Sequence, residues 1–373
     1  MFLDLNKMQK TVTITLTQSC NLSCRYCYEN HKSLAYMSLE KACKIIDQEV
    51  KKTPINTEME IDLFGGEPFV KFDVIKGIVE YIQKNYNDRK IMVFLATNGT
   101  LIREEQKEWL KDHNHILVCG LSYDGTTEMQ DYNRSNSSSM IDLDFFRSTY
   151  PQQEVKMTIS KKTLNTLCDG VVYLHNLGFN VACNLAYGVD WSQDENKKIL
   201  ERELHKLIQF YLNNKHIKPC SMLDDPISSI ACAEKNALRT CGAGWAMVAY
   251  DVDGEDAYPC QFFMPLSIGK EKAMECKKIK FPNDVISDDQ LDSKCVNCIL
   301  KSVCQRCYGY NYIENGNIYI QNKNICELTK IIYKARAYFK ACLYKDGCYD
   351  NCTEIEKKTL LKSIVLIQTK LDV

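Results

Sequence analysis

The segment Cys20-Asn21-Leu22-Ser23-Cys24-Arg25-Tyr26-Cys27 constrains this chain more than any other stretch. Directly before it, Lys10-Thr11-Val12-Thr13-Ile14-Thr15-Leu16-Thr17 alternates apolar and polar residues and is rich in β-branched side chains, which predicts a strand. A helical pattern begins at Ser38. The three thiols therefore lie on the loop between a first strand and a first helix, where α/β folds build their sites. Three thiolates at this spacing can hold three corners of a four-iron cluster and leave the fourth iron open, and an iron with an open position is a reagent. The chain has 20 cysteines in 373 residues. At that density chance supplies roughly 0.06 matches to a fixed three-cysteine pattern of this length, so the setting carries as much weight as the spacing.

Composition narrows the class further. A net charge of -1 gives no electrostatic footprint for nucleic acid or an acidic surface. The N-terminus Met1-Phe2-Leu3-Asp4-Leu5-Asn6-Lys7 lacks the apolar core of a signal peptide, and no uninterrupted apolar run is long enough to span a bilayer. The expectation is a cytoplasmic protein with neither nucleic-acid nor membrane partners. Cysteines in that compartment stay reduced, so metal ligation is the better use for them than disulfides.

From the first strand to about residue 184, strand and helix alternate. Helices are expected over 38–52, 73–85, 103–112 and 164–177, and strands over 59–64, 92–97, 117–122 and 155–159. Such alternation implies a parallel sheet with right-handed crossovers. A charged helix over about 194–214 reads as a solvated face and separates this part from a cysteine-dense region whose regular structure is hard to read. The expected division is 1–220 as a core, 221–340 as a cysteine-rich irregular domain and 341–373 as a helical tail.

The cysteine loop and three further strand-end motifs, Gly65-Gly66-Glu67-Pro68, Thr97-Asn98-Gly99 and Ser122-Tyr123-Asp124-Gly125, together resemble the radical SAM superfamily. The resemblance implies an α/β fold built on a partial (β/α)6 barrel, with Cys20, Cys24 and Cys27 holding a [4Fe-4S] cluster that binds S-adenosyl-L-methionine (SAM). By the same resemblance Gly65, Gly66 and Glu67 take the amino group of the methionine moiety. There the glycines would let backbone approach the ligand and the carboxylate would oppose an ammonium. Thr97, Asn98 and Asp124, on the other strand-end motifs, would by the same resemblance also bind the cofactor. Ser122 and Arg134 would bind the carboxylate, Arg being suited to that anion, and Tyr26 would lie beside the adenine. Chemistry of this family cleaves SAM to a 5′-deoxyadenosyl radical that takes hydrogen from an unactivated C–H bond, the protein supplying orientation and a dry cavity.

Further on come Cys241-Gly-Ala-Gly244, Tyr250-Asp251-Val252-Asp253-Gly254, Tyr258-Pro259-Cys260, then Cys295-x2-Cys298-x5-Cys304-x2-Cys307, and Cys326. Their order resembles the SPASM extension, which holds two auxiliary [4Fe-4S] clusters. It departs from that pattern by one residue between Gly254 and Cys260 and by one between Cys304 and Cys307. Interleaved ligation of the family kind gives Cys241, Cys260 and Cys307 to one cluster, with Cys232 as a fourth ligand or an iron left open. It gives Cys295, Cys298, Cys304 and Cys326 to the other. On residue types alone, Cys295-x2-Cys298-x5-Cys304-x2-Cys307 also suits a tetrahedral structural zinc site, which would leave Cys241, Cys260 and Cys326 unused.

SPASM-type enzymes mostly act on peptides and proteins. The resemblance thus implies either a maturase that forms a thioether or carbon-carbon crosslink, or an epimer, in a ribosomal precursor peptide, or an anaerobic sulfatase-maturating enzyme that makes formylglycine. The latter carry an Asp base just after the cysteine matched by Cys260, where this chain has Gln261, and a glutamine accepts no proton. The sequence therefore favours the peptide maturase and names no catalytic base. Only 19 residues precede Cys20, so a leader would be bound by the core or by a separate leader-recognition protein. The electron would come from a flavodoxin or ferredoxin-type reductant. A reading from another class is an iron-sulfur electron-transfer or zinc-stabilised binding protein.

Overall fold

The computed structural model describes residues 9–231, 237–239, 241–282 and 285–371. Strands and helices alternate in the order β1 (Gln9–Thr17), α1 (Leu39–Lys52), β2 (Glu58–Gly65), α2 (Phe72–Asn85), β3 (Ile91–Thr97), α3 (Glu104–Asp112), β4 (Leu117–Leu121), α4 (Thr127–Asn133), α5 (Leu143–Thr149), β5 (Val155–Ile159), α6 (Leu167–Asn176), β6 (Val181–Leu185) and α7 (Asp194–Asn213). The elements expected from periodicity are all present, with ends moved by a residue or a few. Compactness divides the chain differently from the three consecutive stretches read in the sequence. One unit comprises 1–123, 130–156 and 242–281, and the other 124–129, 157–241 and 282–373.

In the first unit β1 to β4 pair in parallel, in the spatial order β4-β3-β2-β1. Period-2 alternation gives this sheet two chemically distinct faces. Val12, Ile14, Ile61, Leu63, Val93 and Leu95 are buried on one face, the side that suits the apolar stripes of α1 and α2, which carry Ile45, Ile46, Ile75 and Ile78. The opposite face carries Thr11, Thr13 and Thr15 from β1 beside Glu60, Asp62 and Phe64 from β2. Ser38 caps α1 by accepting from the Lys41 N–H, as its position before the helical pattern predicts.

The cysteine-rich region is less irregular than expected. Met247–Tyr250 forms strand β8 alongside Thr11–Ile14 of β1, in parallel, and β9 (Ala257–Tyr258) pairs with β8. Tyr250 Oη donates to Glu49 Oε1 at 2.8 Å and Gln18 Nε2 to Asp251 Oδ1 at 2.8 Å, fixing the segment to the sheet. A strand of four residues carries too little alternation to stand out in the sequence, and its partner lies more than two hundred residues away.

In the second unit β5 neighbours β6, and β7 (Ala237–Leu238) pairs antiparallel with β10 (Val285–Ile286). Two long helices, Lys323–Lys345 and Glu354–Lys370, pack Tyr333, Ala337, Leu360, Ile364 and Ile367 into one core with Leu300 and Cys304. The expected boundary at residue 340 falls inside the first of these helices, because its buried side runs on from Leu328 through Phe339. Among the described residues, no helix is long and apolar enough to cross a membrane.

Candidate functional site

The loop of Cys20, Cys24 and Cys27 is built by backbone contacts made before any ligand enters. β2 ends in Gly65-Gly66, whose amides and neighbours reach the loop: Gly66 N–H donates to Thr17 O at 3.0 Å and Glu67 N–H to Ser19 O at 2.9 Å. A Cβ on Gly65 would lie 2.3 Å from Thr17 O, and one on Gly66 would lie 2.3 Å from Ser19 O and 3.0 Å from the Cys20 Cβ. The glycines are required by this protein-to-protein approach, a stronger reason than the approach to a ligand read from the sequence.

Glu67 has a structural role beside the one expected of it. Its side chain is buried, and its carboxylate accepts from Thr97 Oγ1 at 2.8 Å, the Asn98 N–H at 2.8 Å and the Phe69 N–H at 3.2 Å. Burial raises its pKa, against those three donors and the Arg134 guanidinium. The carboxylate thus ties the ends of β2 and β3, with Oε1 accepting two hydrogen bonds and Oε2 one, which leaves Oε2 capacity for a further donor.

From β3 the clamp continues to the cysteines. Asn98 Nδ2 donates to Asn21 Oδ1 at 3.0 Å, and Asn21 Nδ2 donates to Thr100 Oγ1 at 2.7 Å. On the other side, Arg25 N–H donates to Asn133 O, Arg25 Nε to Tyr132 O at 2.8 Å, and Ser23 N–H to Ser135 Oγ at 2.9 Å. Arg134 stands with its guanidinium 5.5 Å from the Tyr26 ring centroid, so these two expected cofactor residues do meet. Ser122 extends β4 through its N–H to Thr97 O at 2.9 Å. Asp124 lies instead in the second unit, fully buried, where it accepts the Thr158 N–H at 2.9 Å. Burial pushes the Cys20 thiol up to about 11, with Cys24 adding repulsion and Lys32 opposing it. Lys32 also acts on Cys27, so one ammonium serves two of the three thiols.

The later cysteines separate into two groups. Cys295, Cys298, Cys304 and Cys326 line one cavity of about 230 Å³ together with Lys294, Arg306, Lys330 and Lys370. Burial raises Cys295 and Cys326, and pushes Cys304 up to about 11, with the neighbouring thiols adding to each. Cys307 is absent from that lining. It interacts with Cys241 and Tyr187, accepts the Tyr310 N–H at 3.4 Å, and is pushed up to about 11 by burial. The tetrahedral zinc alternative needs Cys307 beside Cys295, Cys298 and Cys304, and the structure puts Cys326 there instead. Cys260, buried, belongs to the first unit, and Cys232 lies outside the described residues. Among the described residues no three His, Cys, Asp or Glu side chains could share a single metal ion; ligands of a cluster bind different irons and need no such convergence.

Four thiols around one cavity, ringed by cations, suit an anionic iron-sulfur cluster, and three thiols on a clamped loop suit one with an open iron. Residues 10–141 match the family described as "4Fe-4S single cluster domain". A protein of Methanocaldococcus jannaschii, "Uncharacterized protein MJ0907", is 34% identical over 116 residues, 31% of this chain and 39% of that relative's length. "Radical SAM cyclopropyl synthase TigE" of Paramaledivibacter caminithermalis is 22% identical over 87% of this chain and 73% of its own. "Cysteine-type anaerobic sulfatase-maturating enzyme" of Clostridium novyi is 24% identical over 86% of this chain and 96% of its own. The fold aligns with a solved structure titled "Native anSMEcpe with bound AdoMet" at TM-score 0.67 and 18% identity, covering 90% of this chain and 98% of that one. It also aligns with Streptococcus suis SuiB bound to the precursor peptide SuiA, at TM-score 0.57 and 13% identity, covering 85% and 76%. The chain is similar to radical SAM enzymes of the SPASM type, and its α/β fold is of the partial-barrel kind expected. The match over residues 10–141 describes a [4Fe-4S] cluster, and the similar enzymes use SAM with it.

Proposed function

We propose that this chain is a peptide maturase that removes hydrogen from a residue of a ribosomal precursor and closes a thioether or carbon-carbon crosslink, or inverts a stereocentre. In this reading Cys20, Cys24 and Cys27 hold the SAM-binding cluster. Cys241, Cys260 and Cys307 hold one auxiliary cluster, and Cys295, Cys298, Cys304 and Cys326 hold the other. When bound, the cluster and SAM would supply one-electron cleavage of a carbon-sulfur bond and the hydrogen-abstracting radical it yields. The backbone of Gly65-Gly66, positioned by Glu67, receives the amine, Ser122 and Arg134 receive the carboxylate, and Tyr26 flanks the adenine. Thr97 and Asn98 hold the cysteine loop in register, and Asp124 secures the chain beyond β4. A flavodoxin or ferredoxin-type protein supplies the electron.

The observation that carries the crosslinking reading is Gln261. Its amide oxygen is buried without a hydrogen-bond partner among the described residues, and an amide takes no proton at neutral pH. A formylglycine-forming reading keeps one specific support: the C. novyi relative aligns over 96% of its length. Mass spectrometry decides between them. The reconstituted enzyme, SAM and a reductant are incubated with a displayed library of random peptides and with a Cys-type sulfatase peptide. A loss of two hydrogens, or in deuterated buffer the uptake of one non-exchangeable deuterium, that stays within library peptides supports the maturase. Conversion of cysteine to formylglycine in the sulfatase peptide overturns it in favour of the second reading.

A further inference from the structure

The polar face of the first unit's sheet holds three charged side chains that the proposed reaction does not use. Glu60 and Asp62 are two residues apart on β2, so both point to the face that carries Thr11 and Thr13. Lys156 joins them from β5, where its residue bridges Ser122. Its stem crosses Gly120: a Cβ there would lie 2.9 Å from Phe94 Cζ and 3.6 Å from Lys156 Cε, so the missing side chain is the room those two occupy. Lys156 Nζ stands 4.6 Å from the Phe94 ring centroid. Met264 lies over the same face, accepting from Thr15 Oγ1 at 3.4 Å.

These groups are short of partners. Asp62 accepts one hydrogen bond, from Thr13 Oγ1 at 3.1 Å, while the Lys156 ammonium and the Glu60 carboxylate make no hydrogen bond or ion pair among the described residues. Burial raises both carboxylates, Glu60 to about 7, and lowers Lys156, while attraction between Lys156 and the acids works against burial. All three nonetheless keep part of their surface open. A structural ion pair in such surroundings closes to contact and fills its remaining donors, because desolvated charges left unpaired cost several kcal/mol. Groups held desolvated, apart and unfilled are characteristic of binding sites.

We propose that Glu60, Asp62 and Lys156 form a subsite for an amide of the peptide substrate, the carboxylates accepting its N–H groups and the ammonium donating to its carbonyl oxygen. A primary amide, as on an Asn or Gln side chain, meets both demands at once, with two N–H donors for the carboxylates and a carbonyl oxygen for the ammonium, where an alcohol has a single donor and a lone cation no acceptor. The proposal rests on the peptide-modifying reading, and its test is independent of clusters, SAM and turnover. Acetic anhydride is applied to the intact protein and acetylation is mapped by mass spectrometry, with the exposed Lys44 as internal control. Lys156 should react in the free protein. Butyramide should slow that reaction saturably, by roughly tenfold at high concentration, while 2-pentanone, the same shape without N–H donors, should not. The Glu60→Gln and Asp62→Asn pair should abolish butyramide protection and leave 5′-deoxyadenosine formation without peptide unchanged. A Lys156 that stays unreacted while Lys44 reacts, or equal behaviour with both probes, overturns the subsite. Failure of the maturase reading is a separate result, in which 5′-deoxyadenosine forms but no peptide loses two hydrogens or takes up a non-exchangeable deuterium.

Discussion

The two best-defined cysteine groups solve opposite problems. The N-terminal loop offers three partly exposed thiols, and its shape comes from backbone: glycines pressed against Thr17 and Ser19, and a carboxylate spanning two strand ends. In the second unit four thiols face one cavity, two of them buried, and the shape comes from packing of long helices and a cationic rim. A loop held by its own backbone can leave one corner for a ligand. A cavity closed by side chains fills every corner and suits electron storage. The lesson is that one kind of ligand serves reagent or reservoir according to what positions it.

The largest expected effect breaks the first half of that contrast. Cys24→Ala should abolish 5′-deoxyadenosine formation by the anaerobically reconstituted protein while leaving the iron held in the second unit, read by chromatography and iron analysis. Cys304→Ala should do the reverse: iron content falls and the fold weakens by about 0.5–1.5 kcal/mol, since Cys304 also belongs to the helical core, yet SAM cleavage without peptide persists. Gly66→Ala sharpens the backbone claim. Its methyl would stand 2.3 Å from Ser19 O, so SAM binding should be lost with a destabilisation of about 1–3 kcal/mol in denaturant titration. Glu67→Gln keeps the shape and removes the charge, exchanging one acceptor oxygen for a donor against Thr97 or Asn98, and should cost about 1–3 kcal/mol. The smallest effect lies away from both cysteine groups. Glu60 titrates near 7 in the fold, above its ordinary value, so ionising it opposes folding. Its penalty is absent below about 4.5 and fully present above 7. The stability gain of Glu60→Gln over wild type should therefore grow as pH rises through that window, to at most ~3 kcal/mol, with Asp62 and Lys156 setting the exact value.

The strand-helix alternation was legible because each element is long enough to show its period, as in Ile45-Ile46 with Val50 on α1 or the alternating threonines of β1. The cysteines and strand-end motifs were legible because their spacing is local. What the sequence hid was long-range. Nothing near Glu67 reveals that Thr97 and the Asn98 amide take its carboxylate, nothing near Gly120 announces Phe94 and Lys156, and β8 is too short to signal its pairing with β1. Glu60, Asp62 and Lys156 went unnoticed for the same reason. In sequence they are ordinary charges on strands, and only the sheet register puts them on one face.

The pairing of β8 with β1 reaches beyond the site. A fragment ending near residue 220 would keep the cysteine loop and every strand-end motif, yet leave Thr11–Ile14 as a bare edge with unpaired amides and carbonyls. Such an edge recruits other chains, so the N-terminal stretch is a poor candidate for expression alone, and during synthesis it must wait for Met247–Tyr250 before its sheet is finished. Sealing the sheet is thereby postponed until the segment bearing Cys260 has emerged, which makes completion of the radical core's scaffold depend on the cysteine-rich half of the chain.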